Sequence, residues 1–145
     1  MPVKPIPDGY HTITPYLTVP GVAKLIEFMQ QAFGAEVTER MAQPDGAIAH
    51  AEVRIGDSVV MMGEAGGEWE PMPSGIYLYV EDADAVYRKA LEAGATSLRE
   101  PADQFYGDRQ VGVKDPSGNY WWISTHIEDV PREELERRAQ QAMQG

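Results

Sequence analysis

Cysteine is absent from this chain, histidine occurs three times, and 12 basic residues stand against 23 acidic ones. Without cysteine there are no disulfides, no thiolate zinc sites and no cysteine nucleophile, and an oxidising compartment is unnecessary. Three imidazoles leave little room for a hidden metal cluster, because a zinc, iron or manganese site needs at least three imidazole or carboxylate donors in fixed geometry. The deficit of Lys and Arg gives a net charge of −11 and a pI near 4.6. That balance argues against nucleic acid as a partner, since phosphate binding rests on clustered cations that release counterions, and it mildly favours neutral or cationic ligands. No run approaches the roughly 18 apolar residues of a membrane span, and Met1 to Asp8 lacks the apolar core of a secretion signal. No membrane partner and a cytoplasmic location are expected. No glycine-rich phosphate loop with its lysine occurs, and Ser58, Ser74, Ser117 and Ser124 lack a nucleophile-elbow context.

What the chain does have is a repeat. Tyr16-Leu17-Thr18-Val19 returns as Tyr77-Leu78-Tyr79-Val80, Gly34-Ala35 as Gly94-Ala95, and Val59-Val60-Met61-Met62 as Tyr120-Trp121-Trp122-Ile123. All three matches share an offset of about sixty residues, which indicates two copies of one supersecondary unit. A unit that short is marginal alone. The two copies are therefore expected to share a core within a single domain spanning 1–145: module one at about 10–64, a linker at 65–74, module two at about 75–126 and a C-terminal helix at about 131–143.

Each copy reads as βαβββ. Residues 12–19 alternate polar and apolar, with Pro15 marking an edge or irregular strand. Val22, Leu25, Ile26, Met29 and Phe33 then fall at helical spacing, and Gly34 supplies a left-handed cap. Strands follow at 35–41, 47–55 and 58–64, the first two joined through Pro44-Asp45-Gly46. The second copy gives a strand at 76–80, a helix capped by Asp82 and stopped by Gly94, then strands at 96–100, 107–114 and 119–125. The last helix carries Glu133 and Glu134 four residues before Arg137 and Arg138, the pattern of a solvated face.

Two βαβββ copies with Phe105 to Arg109 and Asp115 to Ile123 in the second resemble the vicinal oxygen chelate superfamily of glyoxalases, extradiol dioxygenases and bleomycin resistance proteins. Ile13 to Leu17, Glu27-Phe28, Ala32 to Glu36 and His50 to Asp57 are similar to its PhnB-like branch, from which Met29 and Asn119 depart. The resemblance covers roughly residues 10–126. It implies an α+β fold of tandem βαβββ modules forming an open curled-sheet cleft with helices outside, a small-molecule ligand and a homodimer. It also implies that a divalent metal, where the family has one, sits on positions that count here to Thr14, Met61, Gly75 and Trp122. None of these is a histidine or a carboxylate, so no metal and no other cofactor are expected.

Alternation identifies the cleft face independently. If Leu17, Val19, Val60, Met62, Ile76, Leu78, Val80 and Ile123 meet the helices, then Thr14, Tyr16, Thr18, Met61, Tyr77, Tyr79, Tyr120 and Trp122 face the other way. Such rings either stack on a planar or cationic ligand or fill the concavity as core. With Arg109, which either meets an anionic group at the cleft mouth or pairs with Asp108, the candidate ligand-binding set is Thr14, Tyr16, Met61, Tyr77, Tyr79, Arg109, Tyr120 and Trp122. His50, Glu52 and Arg54 share a strand face. His50 and Glu52 are the candidate catalytic pair if the chain is an enzyme, a lyase or isomerase, and otherwise a hydrogen-bonded surface pair. His11 and His126 read as surface side chains.

Overall fold

The computed structural model describes residues 3–144. The first module comprises β1 (Tyr16–Val19), α1 (Val22–Phe33), β2 (Glu36–Ala42), β3 (Ile48–Ile55) and β4 (Ser58–Glu64). The second comprises β5 (Gly75–Tyr79), α2 (Ala83–Glu92), β6 (Thr96–Asp103), β7 (Asp108–Lys114) and β8 (Tyr120–His126), and α3 (Arg132–Gln144) follows. The sheets run β1-β4-β3-β2 and β5-β8-β7-β6. In each, the first strand pairs in parallel with the last and the remaining pairs are antiparallel. The fold is α+β, two copies of one βαβββ motif, each an open curled sheet with its helix on the outer side.

The repeat extends to individual positions. Across sheet one, Tyr16 pairs with Met61, Met61 with Glu52 and Glu52 with Glu39. Across sheet two, Tyr77 pairs with Trp122, Trp122 with Gly112 and Gly112 with Arg99. These two rows occupy the same place in the two modules.

The helices form where the apolar spacing placed them. Val22, Leu25, Ile26, Phe28, Met29 and Ala32 of α1 are buried, and Gly34 ends the helix at φ 67°. Asp82 caps α2 by accepting from the Ala85 N–H at 3.1 Å. The start of α1 is satisfied from across the module: the Glu64 carboxylate accepts from the Gly21 and Val22 N–H groups at 2.8 and 3.1 Å, two of the donors a helix start leaves orphaned. Leu17, Val19, Val60, Met62 and Ile123 are buried on the helical side, with Ile76, Leu78 and Val80 partly buried against the same core.

Two strand boundaries differ from expectation. The alternating stretch before Tyr16 does not join the ladder; Pro15 has no N–H, and only its carbonyl is used, accepting from Met61 at 2.9 Å. β6 runs beyond residue 100, through Pro101 to Asp103, with two register irregularities. It is an edge strand, where proline and bulges are tolerated. α3 buries no side chain, as its charge pattern implies, but Arg138 ties it down: the guanidinium donates to the Phe105 carbonyl at 3.2 Å and to both Glu128 oxygens at 2.9 Å.

The modules meet through their helical sides. α1 lies against α2, and the Phe33 ring at the end of α1 sits 4.7 Å from Trp121, which is fully buried. Trp121 is fixed in turn by Asp115. This buried carboxylate accepts from Ser117 N, Asn119 N, Asn119 Nδ2 and Trp121 Nε1, at 2.9, 3.0, 2.9 and 2.8 Å. Asn119 also accepts from the Ser74 N–H at 3.0 Å, so one carboxylate organises the turn, the start of β8 and the entry to β5.

Asp115→Ala strands several buried donors at once, each costing about 1–3 kcal/mol. The expected loss is about 3 kcal/mol, read as a lower urea midpoint at unchanged slope. A loss under about 1 kcal/mol would show that water replaces the carboxylate without penalty.

Candidate functional site

With one side of each sheet covered by a helix, the other side holds the exposed rings. Tyr16 is 50% exposed, Tyr77 42%, Tyr79 61% and Tyr120 42%, and Trp122 is half-buried. For soluble proteins such a concentration of exposed aromatic area marks a surface that something covers.

On sheet one, Tyr16, His50 and Glu52 form a single hydrogen-bonded group. His50 Nε2 lies 2.8 Å from Glu52 Oε2, and its Nδ1 lies 3.3 Å from the Tyr16 hydroxyl, with the two rings 5.7 Å apart. The other Glu52 oxygen accepts from the Tyr10 hydroxyl. These hydrogen bonds, from Tyr10 first and His50 second, hold the Glu52 carboxyl below the usual range against the opposing effect of burial. Trp69 from the inter-module segment closes a cavity of about 250 Å³ with Tyr16, Thr18 and Gly63.

On sheet two, Asp108 is the centre. Nearly fully buried, it accepts from the Tyr77 and Tyr79 hydroxyls at 2.6 and 3.1 Å, and its second oxygen lies 2.9 Å from His126 Nδ1. Burial disfavours its charge, but the bonds from Tyr77, His126 and Tyr79 win, and its carboxyl is held below the ordinary value. Burial and the Asp108 contact push the Tyr77 phenol well above its usual range. Asp108 first, then Asp129 at 2.7 Å, raise His126. From Tyr77 the network continues outward: Gln110 Nε2 donates to the Tyr77 hydroxyl at 3.1 Å, and Arg99 Nη1 donates to Gln110 Oε1 at 2.9 Å. The Arg99 guanidinium stands 5.7 Å from the Trp122 ring. Trp122 reaches over Gly112, where an added Cβ would come within 2.4 Å of the edge of its ring.

Of the residues singled out by alternation, Tyr16 and Met61 thus share one open face, and Tyr77, Tyr79, Tyr120 and Trp122 share the other. Thr14 stands apart from Tyr16 and Met61 but shares a cavity with Tyr77. It precedes β1 and, with Ile55, Val60, Ile76 and Trp121, lines this cavity of about 250 Å³ at the module junction. Arg109 is corrected: its guanidinium donates to both Asp84 oxygens at 2.8 and 3.0 Å and to Asp103 at 2.9 Å, so its fork is occupied. The competing partner weighed for it, Asp108, serves the tyrosines instead. His126 is not an idle surface side chain. His50 and Glu52 do meet, yet no third histidine or carboxylate joins them, and among the described residues no three such groups are placed to hold a metal. The positions Met61, Gly75 and Trp122 supply no donor either. The donor set does not fit a divalent ion. Arg99, Gln110, Tyr10 and the Asp108 centre escaped the sequence. Arg99 could have been found by carrying the sixty-residue offset from Glu39 on β2 to β6.

The sequence profile of the Glyoxalase/Bleomycin resistance protein/Dioxygenase superfamily matches residues 9–123. An uncharacterized protein of Mycobacterium bovis is 34% identical, over 86% of this chain and 89% of its own length. Among solved structures, TioX from Micromonospora sp. ML1 is similar with a TM-score of 0.64 and 24% identity, covering 81% of this chain and 98% of TioX. TnmS3, an antibiotic binding protein from Streptomyces sp. CB03234, is similar with a TM-score of 0.64 and 20% identity, covering 80% of this chain and 95% of its own. At these identities the structures share the fold.

An NMR titration of His126 is expected to give a pKa above 6.5, and Asp108→Asn to move it back toward that value. Because the folded-state value is the raised one, the stability contributed by this pair is complete below about pH 6.5 and disappears as pH rises through the folded value. A His126 midpoint at or below 6.5 in the unaltered protein would mean the pair does not form.

Proposed function

We propose, for a chain that belongs to the Glyoxalase/Bleomycin resistance protein/Dioxygenase superfamily, that it binds and sequesters a small planar molecule in an aromatic, metal-free cleft, in the manner of the bleomycin resistance proteins. The observation that carries this is the set of open rings on the helix-free sheet faces, Tyr16 on one and Tyr77, Tyr79, Tyr120 and Trp122 on the other. Rings held by a hydrogen-bonded frame give flat contact area at little entropic cost. That one structural neighbour is an antibiotic binding protein supports the reading. The segments around Ile13 to Leu17 and His50 to Asp57 support assigning the chain to the PhnB-like branch. The two modules, the segment 65–74 and α3 act as a single domain, in the cytoplasm.

A second copy completes the cleft. α1 and α2 pack on each other, and each module carries its own ring-bearing face. No hydrogen bond or ring contact joins Tyr16, His50 and Glu52 to Tyr77, Tyr79 and Trp122 among the described residues. A homodimer that sets module one of one copy against module two of the other gives each ligand two walls.

The alternative is a lyase or isomerase in which His50 and Glu52 move a proton. Glu52 orients the His50 ring as a general base is oriented, which favours this reading. Against it, both ring nitrogens are engaged, one with Glu52 and the other with Tyr16. A substrate proton has to reach His50 through the exposed Tyr16 hydroxyl.

With 2-naphthamide as a neutral planar probe, Trp122→Ala is expected to weaken binding at least tenfold, since stacking on one aromatic ring is worth about 1–3 kcal/mol. His50→Ala leaves it within about twofold. A loss of turnover on candidate substrates in His50→Ala, with binding insensitive to Trp122, would establish the enzymatic reading. Sedimentation of the protein purified without a tag is expected to show two protomers per particle, and elemental analysis of the same sample less than about a tenth of a metal ion per protomer. A monomer would overturn the shared cleft, and stoichiometric metal the metal-free one.

A further inference from the structure

We propose that Arg99 is an anion anchor beside the Trp122 platform, so that the ligand of this face is a planar aromatic acid, carrying a carboxylate, phosphate or sulfonate on its ring system. This rests on the face being the ligand wall and narrows the class of molecule it takes.

Arg99, Gly112, Trp122 and Tyr77 form one row across sheet two. Since Gly112 has no side chain, the Trp122 ring occupies the space above it and reaches toward the guanidinium, 5.7 Å from its centroid. One N–H of Arg99 is spent on Gln110, which is buried and held in turn by Tyr77 and Asp108. That chain fixes the direction of the arginine. A guanidinium carries five N–H donors, and none of the others has a protein acceptor among the described residues. Arg109, Arg132, Arg137 and Arg138 all reach carboxylates within 4 Å, whereas Arg99, like Arg40, Arg54 and Arg88, forms no such pair among the described residues, and of these four it is the one that stands beside the Trp122 ring. In a protein of net charge −11, a cation braced through neutral amide and phenol groups, with its fork left open beside a flat ring, matches a planar acid in both shape and charge.

The neighbouring row adds Lys114, paired across the sheet with Tyr120, so the same face alternates two cations with two rings. The equivalent row of module one carries Glu39 and Glu52 instead. If those acids met Arg99 across a dimer, the anchor would already be neutralised. Glu52 is not free to do so, because Tyr10 and His50 occupy its two oxygens.

The test compares 2-naphthoate with 2-naphthamide, two probes of one ring and nearly one shape, by tryptophan quenching and calorimetry on the full chain at pH 7.5. The unaltered protein is expected to prefer the naphthoate at least tenfold. Arg99→Gln should reduce naphthoate affinity to that of the amide, and Arg99→Lys should recover part of the preference, because an ammonium keeps the charge and loses the fork. Thermal melting of both variants checks that they fold. Equal affinity for both probes overturns the anion anchor and leaves the aromatic cleft standing. Failure of both probes to bind overturns the cleft reading along with it. A preference that survives in Arg99→Gln while its dimer weakens would assign Arg99 to contact between copies, and the inference falls.

Discussion

The parallel pairing of first and last strands, β1 with β4 and β5 with β8, is the constraint on which the rest of the molecule depends. A parallel partner cannot be reached by a tight turn; it needs a crossover, and right-handed crossovers place the intervening helix on one side of the sheet. α1 and α2 take that role. Once each has covered one side, strand alternation assigns every second residue to the opposite side, which neither helix covers. The exposed rings follow from topology. Glu64 reinforces the arrangement in module one by carrying the end of β4 to the first N–H groups of α1, so that strand, turn and helix start are a single hydrogen-bonded unit.

Much of this was legible in the sequence because it is local and periodic. The repeated Tyr-Leu tetrapeptides, the spacing Val22, Leu25, Ile26 and Met29, and Gly34 are short-range signals, and the structure follows them. Alternation assigned Met61, Tyr77, Tyr120 and Trp122 to the helix-free faces, because parity is conserved along an unbroken strand. It does not extend to Thr14, where Pro15 ends the ladder before parity has meaning. Arg109 was legible as a cation near the rings but not as the partner of Asp84, which lies on a helix 25 residues away. Arg99 and Gln110 meet because sheet register brings their strands together, and Tyr10 reaches Glu52 from the segment before β1; nothing in the sequence near any of these residues announces its partner.

Acidity is distributed in a way that net charge conceals. The carboxylates closest to the open faces and the core are saturated with donors: Glu52 by Tyr10 and His50, Asp108 by two phenols and an imidazole, Asp115 by two backbone and two side-chain groups, and Glu64 by a helix start. A buried carboxylate without such partners would be neutral or destabilising. Satisfied in this way, these acids fix the positions of rings and turns and offer little to an incoming cation. The excess negative charge resides largely on loops and turns, at Asp45, Asp57, Glu68, Glu70, Glu81, Glu128 and Asp129, where solvent and salt screen it, while α3 balances three acids with three arginines. Net charge therefore misleads about the ligand: the exposed, unsatisfied group nearest the rings is a guanidinium.

The two equivalent rows, Tyr16-Met61-Glu52-Glu39 and Tyr77-Trp122-Gly112-Arg99, show how one frame came to hold two chemistries. The tyrosine is retained in both. At the next position a thioether stands against an indole, then a carboxylate against no side chain at all, then an acid against a base. The missing side chain at 112 leaves room for the indole, and the indole gives the arginine a ring contact in place of bare backbone. The substitutions are thus mutually dependent: Trp122 without Gly112 would clash, and Arg99 without Trp122 would lose its ring contact. In the proposed dimer each cleft has one wall of either kind, a rigid ring-and-cation platform opposite a smaller face of tyrosine, methionine and tethered histidine. Walls so unlike admit a ligand in one orientation, with its charged edge toward β6, and selectivity then follows from the asymmetry of the repeat as much as from any single residue.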